Sequence, residues 1–319
     1  MAKNPHIRRH HHITLNVGTP QEDYDFHTKV LGLKSLKKTA LYDGGEPIFH
    51  FYYGNDRGDE STLITCFPMR QSGSKARLGS GQISRLSLSV PPTSLGYWEQ
   101  RLKAHGVPVR VIERFGERRL ELAHPCGIAY ELVAVSGDVR EPHTRGPVPT
   151  EHGIRGTHGI TVSVRELDDA EEFLSDAWTG GARRTDGLFA RYEVGEGGSG
   201  TIVELHHQPA LPQGSWTYGE GSVHHCAFQV KDLEVQKDVK FRLEGLGFTD
   251  VSESKDRGYF QSVYVRTPLG ALFEAAVSKP EGFLIDEPYE KLGTALQIPP
   301  VFMSRKKEIL EYLGPLPVD

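Results

Sequence analysis

One pattern recurs four times along the 319 residues of this chain. Each copy opens with a strand-like segment, continues through a turn and an amphipathic helical stretch, and closes with further strands that end in one led by glycine. The opening strands fall at residues 11–17, 84–90, 158–164 and 224–230, and the helical stretches at 21–31, 95–105, 167–177 and 233–246. Apolar residues recur at helical spacing in those stretches. Four βαβββ modules predict an α+β fold built from two halves of cupped mixed sheet.

A segment rich in proline, glycine and charge over residues 141–151 marks a seam in the chain. We therefore expect an N-terminal pair of modules over residues 1–145 and a C-terminal pair over residues 146–280. Residues 281–319 read as a tail with poor periodicity and one short helix near 304–313. A G-x-G-x-x-G match at 195–200 is followed by a strand-like sequence, so we interpret it as a hairpin loop and not as a dinucleotide site.

Composition excludes several classes of partner. The net charge of −5 provides no basic surface for nucleic acid. No apolar run approaches the roughly 18 residues of a membrane span, and residues 1–10 lack the apolar core of a signal peptide. Cys66, Cys126 and Cys226 are far apart, odd in number and outside any C-x-x-C motif. These features predict a cytoplasmic protein that binds neither nucleic acid nor membrane, and they are compatible with a homo-oligomer.

The stretch 222–275 carries the strongest chemical signal. It begins with two adjacent histidines, His224 and His225, and ends with Glu274 in an apolar run. A lone ionised carboxylate in such a run is costly to bury unless a positive charge meets it. Imidazole and carboxylate on neighbouring strands are suitable ligands for a divalent metal. The alternative is a core histidine and glutamate that share a hydrogen bond.

The repeated βαβββ module resembles that of the vicinal-oxygen-chelate superfamily, which includes glyoxalases, bleomycin-resistance proteins and extradiol ring-cleaving dioxygenases. The resemblance covers roughly residues 8–278. It implies cupped sheets in which metal ligands project from the first and last strands of paired modules.

The aligned modules offer a small number of ligand sets. The first-strand position holds His12, Arg85, Gly159 and His225, and the last-strand position holds Thr65, Glu131, Glu204 and Glu274. Pairing the first module with the fourth gathers His12, His225 and Glu274. This two-histidine, one-carboxylate set leaves three open positions, as in non-haem Fe(II) oxygenases. We prefer it because it concentrates the ligands. Pairing the third module with the fourth would use Glu204 instead of His12, and Glu131 is a further rival.

Strand register decides which histidine of each doublet faces the metal. Adjacent residues of a strand face opposite sides, so His12 shares a face with Thr14. The module alignment selects the second histidine of both doublets as the ligand. His11 and His224 would then be neighbours that donate a hydrogen bond or carry a proton near neutral pH, or histidines that merely begin a strand.

Within the superfamily the chain looks like the hydroquinone ring-cleaving dioxygenases. The motifs that carry this likeness are residues 11–14, 18–23, 42–44, 214–217, 247–250 and 257–268. The resemblance implies Fe(II) held by His12, His225 and Glu274, and a small aromatic substrate opened with O2. It also implies supporting roles for the following residues: catalytic His11, His224, Tyr264 and Arg257, and substrate-binding Thr14.

Each supporting residue also has an ordinary structural explanation. Arg257 would place a fixed cation near an anionic phenolate, or form a surface ion pair with Asp256 or Glu253. Tyr264 would hydrogen-bond a bound oxygen, or fill the core. Two other functions stay open at this point: a metal-dependent isomerase or lyase of the glyoxalase type, and a protein that binds an aromatic compound without reaction.

Overall fold

The computed structural model describes residues 6–43, 45–178, 183–215 and 218–318. Gly44, Trp216 and Thr217, which belong to motifs quoted above, lie outside the described residues. The first module comprises β1 (His10–Val17), α1 (Pro20–Asp25, continued as a π-helix over Phe26–Val30), β2 (Lys34–Leu41), β3 (Ile48–Gly54) and β4 (Leu63–Pro68). The second comprises β5 (Gln82–Val90), α2 (Leu95–Ala104), β6 (Arg110–Arg114), β7 (Glu117–Ala123) and β8 (Ala129–Ala134).

The third and fourth modules repeat the same order of elements. The third comprises β9 (Gly156–Val164), α3 (Asp168–Glu172, continued as a π-helix over Phe173–Trp178), β10 (Arg184–Asp186), β11 (Phe189–Glu193) and β12 (Ile202–His207). The fourth comprises β13 (Ser222–Gln229), α4 (Leu233–Gly245), β14 (Lys255–Asp256), β15 (Phe260–Arg266) and β16 (Leu272–Ser278). The tail holds β17 (Leu296–Gln297) and α5 (Lys306–Leu313). The segment 195–200 lies in the loop between β11 and β12, as its strand-like continuation predicts.

Local sequence explains where the helices begin. Thr19 caps α1 in a capping box with Glu22, and Pro20 occupies the first helical turn, where its missing N–H costs nothing. Asp232 caps α4 by accepting a hydrogen bond from the Val235 N–H. Each helix predicted from periodicity is present within one or two residues of its expected bounds.

The described strands form two mixed sheets, each built from two modules. One sheet has the order β14-β15-β16-β13-β1-β4-β3-β2-β17, so it joins the first module to the fourth. The other has the order β10-β11-β12-β9-β5-β8-β7-β6 and joins the second module to the third. The predicted α+β fold and the predicted pairing of modules one and four are therefore confirmed. The proposed division of the chain at residue 145 stays a prediction, and each sheet takes one module from either side of it.

Apolar and polar side chains alternate along β1, so one face of the strand packs in the core and the other faces the cup of the sheet. Ile13, Leu15 and Val17 are buried in the main hydrophobic cluster, together with Phe26 of the α1 segment. Residues between them, such as His12 and Thr14, project from the opposite face because successive side chains of a strand alternate. Helices thus cover one face of the sheet, and the other face is left for polar side chains.

A bulge interrupts the antiparallel pairing of β1 with β13 at each histidine doublet. His10 pairs with Phe228 and His12 with Ala227, so His11 is the extra residue on β1. Thr14 pairs with His225 and Leu15 with Val223, which makes His224 the extra residue on β13. The pairing of β5 with β9 is irregular at the equivalent positions. Bulges re-aim side chains, so both members of a doublet can approach the same face.

The tail crosses back over the first module. Leu296 of β17 pairs with Lys38 of β2. The fully buried ammonium group of Lys37 donates to Asp286 at 2.8 Å and to Glu287 at 2.7 Å. The short helix predicted in the tail is confirmed as α5. Among the described residues, no helix combines the length and apolar character needed to cross a membrane.

Candidate metal centre

Three side chains from the first and fourth modules converge in the cup of the nine-stranded sheet that the described residues form. The Nε2 atoms of His12 and His225 lie 3.2 Å apart. The Oε2 atom of Glu274 lies 3.6 Å from the first and 2.9 Å from the second. Adjacent ligands of an octahedral cation with bonds of about 2.1 Å are about 3 Å apart. The three atoms therefore have the spacing of one face of an octahedral site.

The carboxylate of Glu274 is fully buried and only half satisfied. Its Oε1 atom accepts a hydrogen bond from the Ser262 hydroxyl at 2.6 Å, whereas its Oε2 atom has no hydrogen-bond partner. A buried carboxylate oxygen without a partner costs about 1–3 kcal/mol or more. Because this oxygen faces two imidazole nitrogens, a cation between the three atoms would satisfy all of them. The residues present therefore fit a divalent metal.

Both candidate ligand histidines favour the neutral form that a metal requires. Burial, followed by the charges of Arg257 and Arg266, lowers the pKa of His225 to about 3. Burial lowers the pKa of His12 well below its ordinary value even though the Glu274 carboxylate opposes this effect. Their Nε2 lone pairs are consequently available near pH 7.

The other members of the doublets, His11 and His224, contact the ligand histidines in T-shaped pairs. The Nδ1 atoms of His11 and His12 are 2.8 Å apart, and those of His224 and His225 are 2.7 Å apart. The two neighbours nevertheless face different spaces. His224 lines a cavity of about 330 Å³ in front of the candidate ligands. His11 lines a separate cavity of about 680 Å³.

The front cavity contains most of the predicted supporting residues. Its lining includes Thr14, Arg257 and Tyr264. The Arg257 Nε–H donates to the Tyr264 hydroxyl at 3.1 Å, and its guanidinium pairs with Asp43 at 3.3 Å. The carboxylate partner of Arg257 is thus Asp43, and the expected alternatives Asp256 and Glu253 pair with Lys279 and Lys240. Burial raises the pKa of Tyr264, so its hydroxyl keeps its proton at neutral pH.

Thr14 begins a hydrogen-bonded row that sequence reasoning did not identify. Its Oγ1 atom lies 3.0 Å from the His225 Nε2 atom and 2.7 Å from the Thr65 hydroxyl. The His50 Nε2 atom is 3.0 Å from Thr65, and its Nδ1 atom is 3.0 Å from the Tyr52 hydroxyl. Thr65 occupies the position in the first module that Glu274 holds in the fourth. The sequence feature that could have indicated this row is His50, a histidine within the largely apolar strand β3.

The rival carboxylates lie in the other sheet among arginines. Glu131 pairs with Arg119 at 2.5 Å and with Arg114 at 2.7 Å. Glu204 pairs with Arg191 at 2.8 Å and with Arg119 at 2.9 Å. Guanidinium groups satisfy both carboxylates, so neither faces the two ligand histidines.

A second buried group could also be considered as a cation site. Within the described residues, Asp23, His27 and Cys66 place one potential ligand atom each within 4.8 Å of one another. However, the Tyr53 hydroxyl donates to Asp23 at 2.7 Å. The ring nitrogens of His27 lie 3.0 Å from the Asp23 carbonyl oxygen and 2.9 Å from the Tyr130 hydroxyl. The Asp23 Oδ1 atom has no hydrogen-bond partner and lies 3.1 Å from the His27 Nδ1 atom and 3.3 Å from the His124 Nε2 atom. Because other groups engage both ring nitrogens of His27, we assign this group to the core.

Comparison with known proteins agrees with the fold and identifies the family. No protein-family model matches the chain. The chain is 42% identical to the chlorohydroquinone/hydroquinone 1,2-dioxygenase of Sphingobium indicum over 307 residues, which is 95% of each protein. It is 34% identical to MhqO of Bacillus subtilis strain 168, a protein assigned as a ring-cleaving dioxygenase, over 97% of this chain and 96% of that one.

Solved structures support the same assignment. The crystal structure of a candidate dioxygenase from Bacillus subtilis strain 168 superposes with a TM-score of 0.87 at 34% identity and covers 98% of both chains. Glyoxalase I from Zea mays superposes with a TM-score of 0.60 at 14% identity, over 84% of this chain and 92% of that one, and so shares the fold. The chain therefore belongs to the ring-cleaving dioxygenases of the vicinal-oxygen-chelate superfamily, close to the hydroquinone 1,2-dioxygenases.

Proposed function

We propose that this protein is an Fe(II)-dependent dioxygenase that opens the ring of a hydroquinone with O2. His12, His225 and Glu274 hold the Fe(II). The observation that carries this proposal is the buried Oε2 atom of Glu274, which has no hydrogen-bond partner and faces two imidazole nitrogens at ligand spacing. The substrate class comes from the relative named as a chlorohydroquinone/hydroquinone dioxygenase, at 42% identity over nearly the full chain.

The donor set suits iron chemistry with an organic substrate. Two imidazoles and one carboxylate leave open positions on a divalent ion. Bound Fe(II) would supply Lewis acidity towards a phenolate oxygen and redox chemistry towards O2. The front cavity of about 330 Å³ is at the lower end of the range for small-molecule sites, roughly 300–1,000 Å³. This size suits a single aromatic ring.

The charged and hydroxylic residues of the cavity orient the ring. Arg257 places a fixed positive charge beside the site, which stabilises a substrate phenolate. Since the Arg257 Nε–H donates to the Tyr264 oxygen, Tyr264 can donate its own hydroxyl hydrogen to a substrate oxygen. Thr14 lies 3.0 Å from the His225 ligand atom and can hydrogen-bond the substrate hydroxyl nearest the metal.

His224 is placed to donate a hydrogen bond to the substrate. With the His225 Nε2 atom turned to the metal, the His225 Nδ1–H donates to the His224 Nδ1 atom at 2.7 Å. His224 therefore carries its hydrogen on Nε2, and its ring lines the front cavity. Its ring also stacks on Tyr218, with centroids 3.7 Å apart, which fixes its plane. As a neutral imidazole, His224 can donate a hydrogen bond from its Nε2–H to a substrate oxygen.

An oxygen-uptake assay tests the proposal. Metal-free protein is loaded with Fe(II) under argon, and O2 consumption is followed after addition of hydroquinone or chlorohydroquinone. We expect one O2 consumed per hydroquinone and a ring-opened acid as the product. No O2 uptake with any hydroquinone or catechol would contradict the proposal. Turnover with Ni(II) or Co(II) without O2 would point instead to isomerase or lyase chemistry, which the single carboxylate of this ligand set does not favour.

A further inference from the structure

The two histidine doublets differ in what lies behind them. His224 ends in the front cavity, where substrate would bind. His11 is almost completely buried and borders the second cavity of about 680 Å³, which lies beside the Gly282–Ile285 turn of the tail. Phe260 lines both spaces and separates them. Among these two cavities, His11 lines only the second, and it reaches the candidate metal site through its contact with His12.

The direction of each hydrogen bond behind His12 follows from the metal geometry. If the Nε2 atom of His12 faces the metal, its Nδ1 atom carries the hydrogen and donates to the His11 Nδ1 atom at 2.8 Å. His11 must then carry its own hydrogen on Nε2, which donates to the Ser278 hydroxyl oxygen at 2.8 Å. The Ser278 hydroxyl donates in turn to the Glu60 Oε1 atom at 2.5 Å. All the donors point away from the metal and end at a carboxylate.

We propose that Ser278 and Glu60 are positioning residues for the metal ligand His12, acting through His11. This inference rests on the proposed function. In the opposite tautomer of His11, two N–H groups would face each other across 2.8 Å. Acceptors at the far side of His11 prevent that arrangement. Outer partners of this kind fix the ring of a ligand histidine and increase its basicity.

Glu60 is a second possible acceptor for the His11 Nε2–H, so the loss of Ser278 alone should have a limited effect. The Glu60 Oε1 atom is already 3.5 Å from the His11 Nε2 atom, and the Glu60 side chain is 26% exposed. In Ser278→Ala, the Glu60 carboxylate can therefore replace the serine. The double variant Ser278→Ala/Glu60→Leu removes both of these side-chain neighbours of the His11 Nε2–H. The double variant thus tests the proposal more severely than either single change.

The test measures metal affinity directly. Co(II) is added to metal-free protein in competition with a chromophoric chelator. We expect about 10–100-fold weaker Co(II) binding in the double variant, a smaller loss in Ser278→Ala, and affinity close to wild type in Ser278→Thr, which keeps the hydroxyl. Thr157→Val is the matched control. It removes a hydroxyl 3.3 Å from the ring of the neighbouring His10, which does not belong to the series of hydrogen bonds from His12 to Glu60. Its Co(II) affinity should stay at the wild-type value.

The outcomes separate this inference from the proposed function. Wild-type protein that binds one Co(II), with a double variant that binds it equally well, overturns the positioning role and leaves the metal centre intact. The same loss in Thr157→Val as in the double variant also overturns it, because the effect would then be a general one on the fold. Wild-type protein that binds no Co(II) at this site overturns both proposals. Melting temperatures of the metal-free variants confirm that each is folded during the measurement.

Discussion

At the scale of single residues, the site depends on which member of each histidine doublet faces the cup. Alignment of the repeats was sufficient to select His12, His225 and Glu274, and the structure brings these three together. The contacts of His11 and His224 were not predictable in detail. They require the bulges at those two positions, and a bulge arises from pairing with a strand over 200 residues away. The Thr14, Thr65 and His50 row lies within the first module, and only its contact with His225 depends on such distant pairing.

The first prediction concerns Glu274, whose carboxylate has one oxygen without a hydrogen-bond partner. Glu274→Gln should abolish tight metal binding, because the amide is a poor ligand for a divalent ion. The same change should stabilise the metal-free protein by about 1–3 kcal/mol, since it removes a buried charge whose Oε2 atom lacks a partner. Calorimetry of the metal-free proteins and chelator competition measure the two effects. A metal-free Glu274→Gln protein less stable than wild type would contradict this interpretation.

The second prediction concerns the hydroxyl of Tyr264. Tyr264→Phe should lower kcat/KM for hydroquinone by about 10²-fold, as expected when a group that hydrogen-bonds the reacting oxygen is removed. Fe(II) affinity should not change, because Tyr264 is not a ligand in the proposed set. Oxygen uptake at varied substrate concentration gives the first quantity and chelator competition the second. An unchanged kcat/KM would remove Tyr264 from the reaction.

At the scale of elements, the two sheets use the same positions for different purposes. The first and last strands of modules one and four carry the candidate ligands. The last strands of modules two and three instead carry Glu131 and Glu204, which pair with Arg114, Arg119 and Arg191 of the middle strands β6, β7 and β11. Strand and helix positions followed from periodicity. The pair of Arg119 with Glu204 could not be predicted, since it joins strands of different modules that are 85 residues apart in the sequence.

The third prediction tests this network through pH. Burial opposes ionisation of Glu131, but the charges of Arg119, Arg114 and Arg85 outweigh it and lower its pKa from 4.5 to about 2. The folded pKa is depressed, so the stabilisation is present above pH 4.5 and is lost as pH falls towards 2. Glu131→Gln should cost about 3–5 kcal/mol at pH 7, because it removes one of the two buried carboxylates, Glu131 and Glu204, that neutralise Arg114 and Arg119.

Urea titrations of Glu131→Gln and wild type at several pH values measure this dependence. The difference in unfolding free energy between the two proteins should shrink steadily between pH 5 and the lowest pH at which both are folded. A difference that stays constant over this range would show that the network does not act through the charge of Glu131.

At the scale of the whole molecule, the tail completes the sheet that carries the site. Its turn places Phe283 against Tyr52 and Tyr259, in a small core that also contains Phe260. Asp286 and Glu287 neutralise the buried Lys37. The four-fold repeat predicted how the modules pair. The tail lies outside the repeat, so its contacts could not be predicted in this way. The partners of Lys37 lie about 250 residues along the chain, where the periodicity is weak.

The fourth prediction uses Lys37 as a reporter of the tail. In the full chain, Lys37→Met should destabilise the protein by about 3–5 kcal/mol, because it leaves the buried Glu287 and the partly buried Asp286 without their counter-charge. In a chain ending at Pro280, the same substitution should stabilise the protein, since the lysine itself is then the unpaired charge. Unfolding free energies of the four proteins give the answer. The same sign of effect in both chains would contradict the proposed role of the tail.

The most direct measurement of the central claim is anomalous diffraction at the iron edge, from crystals loaded with Fe(II) under argon. We predict one strong peak per chain, within bonding distance of the Nε2 atoms of His12 and His225 and of a carboxylate oxygen of Glu274. A peak among other side chains, or no peak while hydroquinone is still cleaved in solution, would contradict it.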